Sequence, residues 1–410
     1  MTDDMTPRAA ALSFALGAIF FLITATTFAS LGVILPAMIG EFNWTWGTAG
    51  LGFTMLAFLT GVFSPIAATS LEQLGPRLHY ALGGGVIVTG YALMGAVTNV
   101  AVYLFAASLL GAGFALLANV PGTYLVGRAT PLRWRNLVIG AYLAAGGAGG
   151  VVGPLIANAH LSAGGDWRHY WFASALAAGG GAAAIIGLVE KRLTAAEKAA
   201  QTPSDEETQS GAWAPRAAMM TPAFIIISVA LTIAYFCGVT VSTWSVAHLQ
   251  QAGLAPAFAV AMFSLYSGLN AGARAAGGVL VRHVDAKKLL TIALLANVIG
   301  MTALAFAKSP PAAIVFAVFD GFAFGMALFA TTALLIDYFG LKNSPALLGG
   351  ANLAATIAML GPTIAGQTAD RWGGFAPIFI IYAGAALIAA ILVAFMPKPA
   401  AAPAAKAAFS

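Results

Sequence analysis

Long apolar runs separated by short polar breaks make up almost the whole chain. A helix that crosses the hydrocarbon core of a bilayer needs about 20 mostly apolar residues. Twelve runs meet that length: 11–38, 47–70, 79–98, 101–127, 136–161, 168–189, 219–248, 255–281, 288–307, 311–337, 346–368 and 376–396. The fourth and fifth contain Pro121 and Pro154, both expected as kinks inside helices. Only one long stretch is polar, 191–216, "KRLTAAEKAAQTPSDEETQSGAWAPR". It reads as a flexible or partly helical linker, and it divides the chain into 1–190 and 217–410, six runs on each side.

Composition agrees with the pattern. The 410 residues are 60% hydrophobic and 8% charged, too few charges to cover a water-facing surface. The expected class is therefore an all-α integral membrane protein with a lipid bilayer as its surroundings. The 47 glycines fit that class, because small residues let membrane helices approach closely. A single cysteine, Cys237, leaves no intramolecular disulfide and no zinc cluster to expect. The net charge of +5 does not suggest nucleic-acid binding, since the basic residues are scattered among short loops. "MTDDMTPR" at the start is acidic and runs directly into an apolar stretch, so no cleavable signal peptide is expected.

Orientation follows from lysine and arginine. With the first residues inside, 15 of the 19 basic residues fall in cytoplasmic segments. Three (Arg168, Lys308, Arg371) fall outside and one, Arg274, lies within the membrane. Both termini and the linker are thus expected to be cytoplasmic, in the cell inner (plasma) membrane. Two six-helix halves joined by a cytoplasmic loop suit a secondary transporter of the major facilitator type, in which the halves rock around a site near the midplane.

Repeated motifs support that architecture. The loop after the second span, "SLEQLGPRL", offers an acid, a glycine and a base: Glu72, Gly75 and Arg77. After the eighth span, "GGVLVRHVDAKKLL" offers Gly278, Arg282, Asp285, Lys287 and Lys288. Both resemble the major facilitator loop signature, in which acid–base pairs between loop and helix ends hold an inner gate; ordinary positive-inside loops are the alternative. Gly146, Gly149, Gly150 and Gly153 give the fifth span a face almost free of side chains, followed by Pro154. Gly361 and Pro362 repeat the Gly-Pro in the eleventh.

Three stretches carry a closer resemblance. "EFNWTWG" (Glu41–Gly47), "LLIDYFG" (Leu334–Gly340) and "GGANLAATIAMLGPTIAGQTADRWGGFAPIF" (Gly349–Phe379) resemble the monocarboxylate transporter family. The bacterial oxalate:formate antiporter shares much of the same frame. The resemblance implies a proton-coupled carrier of small organic acid anions whose eighth helix holds a carboxylate-binding arginine, and Arg274 falls at that position. The family commonly has an aspartate four residues earlier. Here Asn270 stands there, and an amide cannot carry a proton.

The residues point the same way. Arg274 lies eight residues before Arg282, about 12 Å along a helix, hence near the midplane. A permanent charge at that depth is costly unless it faces a watery cavity or a partner. Its planar fork matches a carboxylate through two parallel hydrogen bonds. The alternative is a permanent ion pair, for which Asp320 is the best partner. Ser267, Asn270 and Arg274 share one helix face, as a cavity wall would require. Asp320, about nine residues into the tenth span, is either a proton carrier or the counter-ion of Arg274. In the fourth span, Asn119 and Tyr124 are candidates to bind substrate. The eleventh span has no Lys or Arg, which favours one carboxylate over two. Trp244 reads as a belt or packing residue, and His248 as solvated.

The expected function is proton symport of a lactate- or pyruvate-like monocarboxylate, by a protein that works as a monomer without metal or cofactor. An anion exchanger is the alternative within transport. A receptor that keeps the transporter fold is the alternative in another class. No nucleophile–base pair or phosphate loop suggests an enzyme.

Overall fold

The computed structural model describes residues 5–118, 120–189, 213–340 and 343–399. Among these residues the chain is helical, with no strand. Twelve helical runs correspond one for one to the twelve predicted spans. They are α1 (Pro7–Phe42), α2 (Trp46–Leu74), α3 (Pro76–Gly95), α4a (Val100–Leu117) with α4b (Val120–Ala129), α5 (Leu132–Ser162), α6 (Trp167–Leu188), α7 (Pro222–Gln251), α8 (Pro256–Leu280), α9 (Ala286–Ala305), α10 (Pro310–Phe339), α11 (Ala346–Trp372) and α12 (Ala376–Phe395). Ten are long and apolar enough to cross a membrane by length and composition. The other two are α3, which carries Arg77, His79 and several glycines, and α8, which carries Asn270 and Arg274. Most of the expected linker lies outside the described residues; its last residues lead into a short helix, Pro215–Met219.

The chain forms two compact units. The first comprises Met1–Thr202, Thr240–Gly268 and Leu360–Phe375; the second comprises Pro203–Val239, Leu269–Met359 and Ala376–Ser410. Parts of α7, α8 and α11 thus belong to the first unit.

Glycines set the packing of the first unit. A Cβ on Gly149 would strike the main-chain oxygen of Phe21, and one on Gly153 that of Ala25. Bare backbone at these positions lets α5 close onto α1. Residues 25–29 of α1 form a turn of π-helix. Three hydroxyls explain its local stability: Thr26, Thr27 and Ser30 donate to the carbonyls of Leu22, Ile23 and Ala25. Such back-bonding competes with the regular ladder. Tyr170 of α6 and Tyr91 of α3 hydrogen-bond to Ser30 and Thr26 and hold the turn from outside. At the other end of α2, Gly75 adopts φ +80°, the turn that the loop signature anticipated.

Pro154 lies inside continuous α5, as expected. Pro121 does not kink a continuous helix. The fourth span breaks: α4a ends at Leu117, Ala118 is extended (φ −106°, ψ −174°), and α4b begins at Val120. Proline supplies no N–H, so the carbonyl of Leu117 four residues earlier loses its helical donor. Side chains of α3 take over at the break. His79 Nε2 hydrogen-bonds to the oxygen of Leu116 at 2.7 Å, and Tyr80 donates to that of Leu117 at 3.4 Å.

The second unit is built on an aliphatic core in which Leu231 of α7, Leu290 and Leu294 of α9, Leu334 and Leu335 of α10 and Val393 of α12 are buried. Its first described residues dock by Asn343, whose amide donates to the main-chain oxygen of Trp213 at 2.6 Å.

Candidate functional site

Arg274 lies on α8, in the second unit. The regular turn of α8 brings Asn270 one turn before it, and Arg274 Nε donates to Asn270 Oδ1 at 3.0 Å. The guanidinium stands 5.9 Å from the centre of the Phe324 ring on α10, a cation–π distance. Phe324 is itself held edge-on by Tyr235 of α7, 5.9 Å between ring centres. A Cβ on Gly238 would collide with Phe324, so glycine there makes room for the ring. Tyr235 also reaches Asn352 of α11 at 3.4 Å. Arg274 is exposed in the structure. Asn270 and the Phe324 face therefore fix the plane of an accessible cation, and the amide at 270 does so without adding a negative charge.

Ser267 is half-buried on α8 and belongs to the first unit, where a Cβ on Gly150 of α5 would lie 3.8 Å from its Cβ. Asn119 lies outside the described residues. Tyr124, on α4b, is half-buried. On the same short helix, Gly122 leaves room for the ring of Tyr142 from α5.

Asp320 is completely buried on α10. Asn297 of α9, not Arg274, holds it: the amide Nδ2 donates to Asp320 Oδ1 at 2.6 Å. A permanent Arg274–Asp320 pair is therefore not what the structure contains. Sequence spacing showed both charges at one depth but gave no sign that an asparagine from the preceding helix stood between them and an ion pair.

At the loops after α2 and α8, Glu72, Arg77, Arg282 and Asp285 are exposed. Among the described residues, Glu72, Arg77 and Arg282 form no ion pair, and Asp285 pairs with Lys288 three residues on, at 3.4 Å. An exposed pair of that kind contributes about 0–1 kcal/mol.

A tighter contact lies at the other end of α2. Asp370 of α11 accepts from the main-chain N–H of Trp46 and of Gly47. Below it, a Cβ on Gly366 would strike Trp46 O, and one on Gly50 would strike Pro362 O. One helical turn deeper, the hydroxyls of Thr54 and Thr363 meet at 2.8 Å. Trp244 is fully buried here rather than placed in an aromatic belt; its Nε1 donates to Pro362 O at 2.8 Å, and it packs with Trp46 and Phe375, which also touch each other. His248 is also buried, edge-on to Phe375, and not solvated as its helix-end position suggested. Glu41, at the end of α1, forms a two-point ion pair with Arg168 of α6 and accepts from Trp167 Nε1. Among the described residues, no group of three or more His, Cys, Asp or Glu side chains is placed to hold a metal ion.

The profile of the Major Facilitator Superfamily matches residues 16–310 and 276–410. The chain belongs to the major facilitator superfamily. It is a multi-pass membrane protein of a transporter superfamily, with the all-α major facilitator fold. No curated protein matches it by sequence. Solved structures share the fold at low identity. A bacterial homologue of the human lysosomal transporter Spinster, inward-facing and occupied, is 15% identical with a TM-score of 0.74, over 95% of this chain and 97% of that one. A mutant of the nucleoside transporter NupG is 11% identical with a TM-score of 0.75, over 94% and 100%. A D-xylose–proton symporter is 17% identical with a TM-score of 0.69, over 95% and 98%.

Proposed function

We propose that this major facilitator protein is a secondary transporter of small monocarboxylates, lactate- or pyruvate-like, working by proton symport and alternating access. The observation that carries the reading is Arg274: an accessible, permanently charged fork in the interior of a membrane-length helix, oriented by Asn270 and Phe324. A carboxylate can take two parallel bonds from such a fork. The anion neutralises the cation, which lowers the cost of closing the site around it. Tyr235 and Asn352 beside the cluster offer a hydroxyl and an amide to the rest of a hydroxy or keto acid. In this reading Asn119, Tyr124 and Ser267 contribute further polar contacts. Glu72, Arg77, Arg282 and Asp285 serve the inner gate, and Asp320 accepts the coupled proton. The six-helix halves 1–190 and 217–410 are the rocking bodies. The protein acts as a monomer in the plasma membrane with both termini cytoplasmic.

A proton symporter with the same fold, the D-xylose carrier, supports the coupling mode by analogy alone. Exchange of one anion for another is the second reading. Asn270 favours it, because it replaces an acid beside the substrate cation with an amide that cannot titrate.

The deciding measurement is uptake of radiolabelled lactate into proteoliposomes with and without an inward proton gradient, for wild type and Arg274→Ala. Gradient-driven accumulation, lost in Arg274→Ala with normal membrane insertion, is the expected result. Uptake that needs a loaded trans anion supports exchange. Normal lactate uptake by Arg274→Ala would sink the clamp.

A further inference from the structure

Asp320 and Asn297 present an arithmetic problem in hydrogen bonds. Both side chains are buried, Asp320 completely and Asn297 almost so. One bond joins them, Asn297 Nδ2 to Asp320 Oδ1. Among the described residues, the other two oxygens, Asp320 Oδ2 and Asn297 Oδ1, have no hydrogen-bond partner. Both are acceptors when Asp320 is ionised, so neither can satisfy the other. Buried polar atoms in folded proteins are almost always paired, and an ionised carboxylate away from water is costly unless compensated.

We propose that Asp320 and Asn297 form a carboxylic acid–amide pair that stores one proton. The proton sits on Asp320 Oδ2 and is donated to Asn297 Oδ1, while the amide donates back to Asp320 Oδ1. A single proton then resolves three faults at once: it removes the buried charge, gives Oδ2 a bond and gives Asn297 Oδ1 a donor. The inference deepens the transport reading by naming Asn297 as the residue that holds the proton on Asp320, and it rests on that reading only for the proton's use.

The surroundings fit a neutral acid. From α9, Gly300 packs against the main chain of Asp320, where any side chain would collide, so the two helices meet closely and exclude water. The lysines of α9, Lys287 and Lys288, lie at its first turn, far along the helix from Asn297. From α7, the buried Cys237 thiol is the titratable neighbour of the pair. α12 carries no acidic or basic residue. From α8, Arg274 is bonded to Asn270 and stands over Phe324, one turn beyond Asp320 on α10. The proton site is thus separate from the cation that binds the anion. Asn297 is a positioning residue: it touches the proton carrier, not the substrate.

Infrared spectroscopy reads the pair without any transport. In purified wild-type protein reconstituted at neutral pH, a protonated carboxyl C=O band should be present, and Asp320→Asn should abolish it. Asn297→Leu removes the donor to that C=O, so the same band should persist and move to higher frequency. Absence of a neutral-pH acid band in wild type, or a band unchanged by Asp320→Asn, overturns the proposal. If Asp320→Asn does not insert, titration of the wild-type band and the Asn297→Leu shift decide alone: no wild-type band, or a band that Asn297→Leu leaves in place, overturns the pair. Lactate uptake is scored separately. An acid band that obeys these rules in a protein that does not move lactate keeps the pair and discards the substrate. Lactate transport without the band does the reverse.

Discussion

Asp370 caps the amino end of α2, its Oδ1 accepting from Trp46 N–H and its Oδ2 from Gly47 N–H, each at 2.8 Å. The first N–H groups of a helix have no partner within the helix, and they carry a partial positive charge. A carboxylate from α11 satisfies both needs. Water can take the place of the carboxylate at both N–H groups, so parting of the two helices would leave neither group unpaired. A contact of this kind is expected to act as a latch.

Removing it should loosen that end of α2. Loss of a cap of this type costs about 0.5–2 kcal/mol, which is roughly a 2- to 30-fold change in the closed-to-open ratio. Thr54 lies two turns deeper and is buried. A Thr54→Cys thiol should therefore react faster, by that factor, with a membrane-impermeant reagent in the Asp370→Ala background. The native Cys237 is buried and should stay silent. Equal rates with and without Asp370 would rule out the latch.

Asn270 orients Arg274 without neutralising it. Asn270→Asp would place a carboxylate where the amide oxygen accepts from Nε, and that carboxylate would compete with an anionic substrate. The expected outcome is at least a tenfold weaker apparent affinity for the anion, equivalent to about 1.4 kcal/mol. Concentration-dependent uptake checks it, and unchanged or tighter apparent affinity contradicts the proposed clamp.

The break between α4a and α4b depends on His79. Its ring bridges Ser70, at 2.9 Å, and the carbonyl of Leu116, at 2.7 Å. His79→Ala leaves that buried carbonyl unpaired, at a cost of about 1–3 kcal/mol. Thermal unfolding in detergent should show lower stability for His79→Ala, with partial recovery in His79→Gln, whose amide can donate. Wild-type stability in His79→Ala would mean that the carbonyl finds another donor.

Gly153 faces the main-chain oxygen of Ala25, which cannot rotate away as a side chain could. Gly153→Val should force α5 off α1 and disturb the π-turn. Overpacking of this kind typically costs about 1–3 kcal/mol. Gly140, also on α5, has open space around its Cβ position, so Gly140→Val is the control. Equal stability of the two variants, again by thermal unfolding, would refute the close approach.

The sequence by itself determined the class and the twelve helical runs. Apolar length imposes helices in a bilayer, because every main-chain group there must be bonded within the chain. That rule is local, so twelve runs could be found without knowing their neighbours. The glycine face of the fifth span was visible for the same reason, since spacing alone defines a helix face. The depth of Arg274 along its helix was also legible, because it follows from spacing to Arg282. Partnerships between helices were not. Whether Asp320 met Arg274 or Asn297, whether Pro121 bent or broke its helix, and whether Trp244 and His248 faced lipid, water or protein all depend on side chains distant in sequence. His79 and Tyr80 of a different helix meet the carbonyls at the break before Pro121, and an aspartate more than three hundred residues away joins the local Thr45 cap at the amino end of α2. Hydrogen bonds act over about 3 Å, so only the tertiary structure could decide which of many chemically possible partners stood within reach.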